Sequence, residues 1–132
     1  MQRPRIRQGR AAAVLPEVLS TLDRTLVPCV LATNVLGYFP AEELAGLVAA
    51  LTGYGRDRDL VVVLNDLPVH GAALFAAGTQ DYLDPTRAAG ALTLVTFTGG
   101  VPSVELLGRS GPFGVSLEWA PRSCPYLPAA GT

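Results

Sequence analysis

Two short apolar runs on either side of a segment with helical spacing constrain this chain more than any other feature. They are Leu26-Val27-Pro28-Cys29-Val30-Leu31-Ala32-Thr33 and Leu60-Val61-Val62-Val63-Leu64. Both are too short for a typical helix and rich in β-branched residues, so both read as strands. Apolar residues at consecutive positions predict cover on both faces, as in a parallel sheet. Pro28 cannot donate to a ladder and belongs near the strand's start or on a free edge. Between the runs, Ala41 to Leu51 reads as a helix. Pro40 suits its start, Glu42 and Glu43 complement its positive end, and Leu44, Leu47, Val48 and Leu51 form the buried stripe. Gly53 and Gly55 read as its terminators, and Arg56-Asp57-Arg58-Asp59 as a solvated, charged turn. Strand, crossover helix and strand make a βαβ unit.

Upstream, Val14, Leu15, Val18, Leu19 and Leu22 recur at three- and four-residue steps, one face of a helix. Pro16 lies inside that pattern and predicts that the regular helix begins there. Downstream, Val69 to Ala77 fits a short helix or a loop, and Thr79 to Arg87 looks irregular. Ala91 to Phe97 and Val101 to Leu107 read as strands joined at Thr98-Gly99-Gly100, and Gly108 to Gly114 as turn material. Val115 to Trp119 alternates like a half-exposed strand. Hairpin connections make these strands antiparallel. Pro121, Pro125 and Pro128 predict an extended, mobile tail. The expected organisation is a basic lead-in over 1–10, a single α/β domain over 11–120 and a flexible tail over 121–132.

A chain of 132 residues suits one domain with an ordinary core. Ten cations against eleven anions give no basic field, so nucleic acid is not an expected partner. Arg3, Arg5, Arg7 and Arg10 crowd the N-terminus, but no aromatic or amphipathic partner accompanies them, and they read as a solvated lead-in. The apolar run Ala11 to Leu15 stops at Pro16-Glu17, short of a signal peptide's core of about seven to fifteen residues. No run approaches the roughly twenty residues that span a bilayer. The expected location is the cytoplasm, with the two cysteines reduced and no membrane partner.

Few side chains suggest chemistry. His70 is the sole histidine, which excludes a two-histidine relay or a His-rich metal site within one chain, and no Gly-x-Ser-x-Gly elbow supplies a nucleophile. Cys29 reads as packing in an apolar strand and Cys124 lies in the tail; no metal site is expected. Gly108, Gly111 and Gly114 have no helix after them and read as a hairpin turn, not a phosphate loop. Ligands of open α/β sheets bind beyond the carboxyl ends of parallel strands. Asn34 and Tyr38 follow the first strand there, and Asn65 and Asp66 the second. They are the ligand-facing candidates, with Asp66 the only acid/base candidate. The plainer role for Asn and Asp at such places is turn formation.

The stretches Val27-Pro28 through Thr33-Asn34, Val35-Leu36-Gly37-Tyr38-Phe39-Pro40, Glu42-Glu43, Asn65-Asp66, Gly111-Pro112-Phe113-Gly114 and Leu117-Glu118-Trp119 occur in an order and spacing that resembles an uncharacterised bacterial domain-of-unknown-function family. The resemblance covers roughly Arg5 to Ala120. Members of that family are longer, and their C-terminal part looks like the Rossmann-type fold of S-adenosylmethionine-dependent methyltransferases. This chain departs from the pattern at Phe113, where the family has His, and at Arg10, where an acid is usual.

The resemblance implies an α/β fold: a partial Rossmann or methyltransferase-like sheet, a βαβ unit followed by an antiparallel C-terminal hairpin. It implies the C-terminal half of such a fold, because no strand–Gly-loop–helix unit precedes Leu26 to hold a cofactor. The first strand is then an exposed hydrophobic edge, expected to self-associate or to dock a separate N-terminal half. Two functions follow from the resemblance. One is a module that is non-catalytic and cofactor-free as an isolated chain, a fragment or assembly partner. The other is a subunit or remnant of a methyltransferase-like enzyme that uses S-adenosylmethionine on a small molecule. Whether the chain is an enzyme stays open between them.

Overall fold

Helical spacing and apolar runs produce the elements in the order expected. The computed structural model describes residues 3–76, 90–111 and 116–127. α1 (Ala11–Ser20) leads to β1 (Cys29–Thr33), α2 (Ala41–Asp57) and β2 (Leu60–Asp66). β1 and β2 are parallel neighbours, with Val30 opposite Val62 and Thr33 opposite Asn65. β3 (Gly90–Thr98), β4 (Val101–Ser110) and β5 (Leu117–Cys124) add antiparallel strands, in the spatial order β1-β2-β3-β4-β5. The protein is thus α/β, a partial βαβ unit continued by antiparallel strands.

The core lies on one face of this sheet. Leu60, Val62 and Leu64 of β2, Val95 and Phe97 of β3 and Val104 of β4 pack with Leu47, Val48 and Leu51 of α2. Burying each such side chain contributes about 1.5–3 kcal/mol. The alternate residues Val61, Val63, Leu92, Leu94 and Thr96 face the other way and are half-buried. Cover on both faces of β1, expected from its composition, does not occur. Val30 and Ala32 pack on the core, while Cys29, Leu31 and Thr33 are exposed. β1 lies at the end of the sheet, and both described helices join the core of a single face. Cys29 is therefore a surface thiol, not packing.

α1 starts at Ala11 despite Pro16 inside it, five residues earlier than the proline implied. Its cap comes from outside the helix. Ala12 N–H donates to Glu43 Oε1 at 2.9 Å, so a carboxylate on α2 satisfies a first-turn donor. α2 likewise overruns its expected end, passing through Gly53 and Gly55 to Asp57. A Cβ at Gly55 would collide with the Phe97 ring, so this glycine brings helix and sheet together rather than stopping the helix.

The β3–β4 turn forms where expected, with Gly99 and Gly100 at φ 57 and 78, the positive values that a two-residue hairpin needs. Asp59 ties the charged turn to it, accepting from Gly99 N–H at 2.9 Å. At the first apolar run, Leu26 and Val27 stay outside β1 because Leu26 N–H closes a turn onto Asp23 C=O at 3.1 Å.

The expected domain limit at Ala120 falls within β5. β5 continues to Cys124, and Tyr126 then bridges Ala76. The Tyr126 ring meets Phe97 edge-on at 5.9 Å, and its hydroxyl shares a 2.9 Å hydrogen bond with Thr52 Oγ1. Leu127 N–H donates to Phe75 C=O at 2.8 Å. An aromatic anchor on the core outweighs the proline signal. Pro121 falls where the β4–β5 register is irregular, on an edge strand that does not need its N–H. Residues 77–89, Pro112-Phe113-Gly114 and Pro128 lie outside the described residues.

Candidate functional site

β1 ends at Asn34, whose φ of 52 is the left-handed conformation that Asn accepts more readily than most residues. Its N–H donates to Asn65 C=O at 2.8 Å and closes the parallel ladder. The chain then turns through a single 3-10 helix, Leu36–Tyr38. Asp66, the last residue of β2, is 5% exposed and reaches into this turn. Its Oδ2 accepts from Leu36 N–H at 3.0 Å and its Oδ1 from Leu67 N–H at 2.8 Å. One carboxylate thus fastens the loops leaving both parallel strands. Each of its oxygens meets a main-chain donor, so the carboxylate holds the two loops together in a place almost closed to solvent.

Asn65 and Asp66 are consecutive in a strand, and their side chains leave opposite faces of the sheet. Asp66 shares the buried face with Leu60, Val62 and Leu64; Asn65 shares the other with Val61 and Val63. Asn65 Oδ1 accepts from Ser110 Oγ at 2.7 Å. These two candidates do not converge. Tyr38 is 87% exposed, with its phenol in solvent. His70, in the stretch that read as a short helix or a loop, joins this corner: a Cβ on Gly37 would lie 3.2 Å from its Cδ2. No local signal pairs those two positions, because the contact exists only once β1 and β2 are neighbours. Among the described residues, no three His, Cys, Asp or Glu side chains are grouped to hold a metal ion.

The edge of β1 is the second feature of this region. Pro28 C=O accepts from Val61 N–H at 3.0 Å, and Asn34 N–H donates to Asn65. In a parallel pair alternate residues direct their backbone groups toward the neighbour. Val30 and Ala32 therefore face β2, while Cys29, Leu31 and Thr33 present N–H and C=O groups to the free edge. Exposed large apolar side chains gather along this stretch: Leu26, Val27, Leu31, Val35 and Tyr38. The opposite edge, β5, carries Pro121 and the charged Glu118 and Arg122, devices that discourage strand addition. β1 carries no proline or charge.

The model of a family described as an uncharacterized protein conserved in bacteria (DUF2332) matches residues 1–119, and the chain belongs to that family. No curated protein and no solved structure matches it. No helix among the described residues is long and apolar enough to cross a membrane.

Proposed function

We propose that this family member is an assembly module whose β1 edge accepts a further strand from a second copy of the chain, and that it performs no catalysis by itself. The observation carrying this reading is an edge strand with Leu31 68% exposed and no charge or proline between Cys29 and Thr33. Such an edge is a template for strand addition. Asp66, the acid/base candidate, is 5% exposed and fastens two loops, which supports the non-catalytic part. Sedimentation of the purified chain at micromolar concentration tests the idea. Dimers are expected, and Leu31→Pro should convert them to monomers. Leu31 N–H points away from β2, so proline there removes an edge donor without taking a bond from the β1–β2 ladder. A folded wild-type monomer at every concentration would refute association through this edge.

A second reading rests on Tyr38 and His70, which stand at the carboxyl ends of the parallel strands, where ligands of α/β sheets bind. In it the chain is a subunit of a methyltransferase-like enzyme, completed by a separate N-terminal half that supplies the cofactor loop. Calorimetric titration with S-adenosylmethionine separates the two readings. Heat of binding to the chain that disappears in Tyr38→Phe favours the enzyme; no heat, together with dimers that Leu31→Pro dissociates, favours the assembly module.

A further inference from the structure

Twelve large hydrophobic side chains are exposed among the described residues, and five of them fall within Leu26 to Tyr38. Leu31 lies on β1 itself; Leu26 and Val27 come from the segment before the strand, Val35 and Tyr38 from the turn after it. Pro28 C=O and Asn34 N–H still bond to β2, so Val27 and Val35 stand one residue beyond the parallel ladder at its two ends. The direction of Tyr38 is set by its own turn. A 3-10 helix places successive side chains about 120° apart. Leu36 takes the core, and the Gly37 position faces His70 of the loop after β2. Tyr38 is left the third direction, away from both.

A ladder between two copies of β1 is too small to hold them together by itself. Five residues at a rise of about 3.3 Å make an edge about 17 Å long, and a sheet is about 10 Å thick, so each copy covers about 170 Å². A specific interface buries about 1,000 Å² or more in total. The exposed side chains at the two ends of β1 can supply the difference. Packing a tyrosine removes about 150–250 Å² from solvent, and Tyr38, almost wholly exposed, has nearly all of it to give. In a two-fold pair every such residue counts twice. Cys29, Leu31 and Thr33 turn their backbone groups to the free edge, and a symmetric antiparallel pair that uses all three is centred on Leu31. It sets Cys29 against Thr33 of the second copy. Val27, two residues before Cys29, then comes beside Val35, two residues after Thr33.

We propose that Leu26 and Val27 on one flank of β1, and Val35 and Tyr38 on the other, complete an interface between two copies of the chain. Each flank covers the opposite flank of the second copy, and the Tyr38 ring is the anchor. This rests on the β1 pairing proposed above. The test is sedimentation of the full chain over a concentration series, with circular dichroism to check that each variant is folded. Tyr38→Ser should weaken the dimer at least about tenfold, because the loss occurs twice. Tyr38→Phe keeps the ring and should stay within about threefold of wild type. Val101→Ser, at an equally exposed apolar position beyond β2 and β3, should change nothing. Val27→Lys and Val35→Glu should each weaken the dimer about tenfold, since each buries an unpaired charge. An equimolar mixture of those two variants should recover it, because one lysine then meets one glutamate while the other contact stays valine against valine. Three results overturn the flanks: Tyr38→Ser sedimenting as wild type does, Val101→Ser as weak as Tyr38→Ser, or a mixture no tighter than its components. If Leu31→Pro still dissociates the wild-type dimer, the edge pairing stands without them. A wild-type chain that stays monomeric removes the pairing itself and the flanks with it.

Discussion

Replacing Asp66 with alanine is expected to remove about 2–4 kcal/mol of folding stability, a large share of the 5–15 kcal/mol typical of a domain. The carboxylate accepts from two main-chain donors, Leu36 N–H and Leu67 N–H. Leu36 is 1% exposed, so its N–H loses its acceptor in a place that water does not reach. Leu67 is 47% exposed, and its N–H can turn to solvent at little cost. Most of the penalty thus falls on the 3-10 turn after β1. Asp66→Asn keeps one carbonyl oxygen but presents an amide N–H₂ to the other donor. Its cost should be intermediate, about 1–2 kcal/mol. Urea unfolding followed by circular dichroism measures both. The midpoint should fall in the order wild type, Asn, Ala, with the slope unchanged. If Asp66→Ala unfolds within about 0.5 kcal/mol of wild type, the clamp has no structural weight.

That clamp also shows where sequence reading succeeds and stops. Leu60 to Leu64 and Ala41 to Leu51 declare themselves through local periodicity, and Gly99-Gly100 through the positive φ that their turn requires. Each signal is contained within a few neighbouring residues. Gly55 carries the same local signal as a helix terminator, yet its reason is Phe97, a partner from another strand. Tyr126 sits in a proline-rich stretch whose local character is that of a tail, and only the core surface beside Phe97 and Thr52 holds it down. For the candidate site, the carboxyl ends of the parallel strands were legible, because the βαβ pattern locates them. The division between Asn65 and Asp66 was not: both read as turn residues beyond Leu64, and only the continuation of β2 to Asp66 sends them to opposite faces. The approach of His70 to Gly37 was not, since it depends on two loops meeting across adjacent strands.

Leu31→Cys, placed in a Cys29→Ser, Cys124→Ser background, is expected to yield a disulfide-linked dimer under mild oxidation. Cys29, Leu31 and Thr33 direct their backbone groups to the free edge, so two copies of β1 can pair antiparallel about a two-fold axis. A register centred on residue 31 sets Leu31 against its counterpart and Cys29 against Thr33 of the other copy. All three residues then exchange both backbone hydrogen bonds, with facing Cα atoms about 5.5 Å apart. That separation lies within the range of a disulfide, about 4.4–6.8 Å. The register also makes a negative prediction. Thr33→Cys in the same background places the two thiols four residues apart along the pair, about 13 Å, beyond bridging distance. Restoring the native Cys29 beside Thr33→Cys should bring cross-linking back, because those positions face each other across the axis. Non-reducing electrophoresis reads all three variants. Equal dimer from Leu31→Cys and Thr33→Cys would indicate random collision between copies. Dimer from neither, with Leu31→Pro sedimenting as wild type does, would mean that β1 pairs with no second copy.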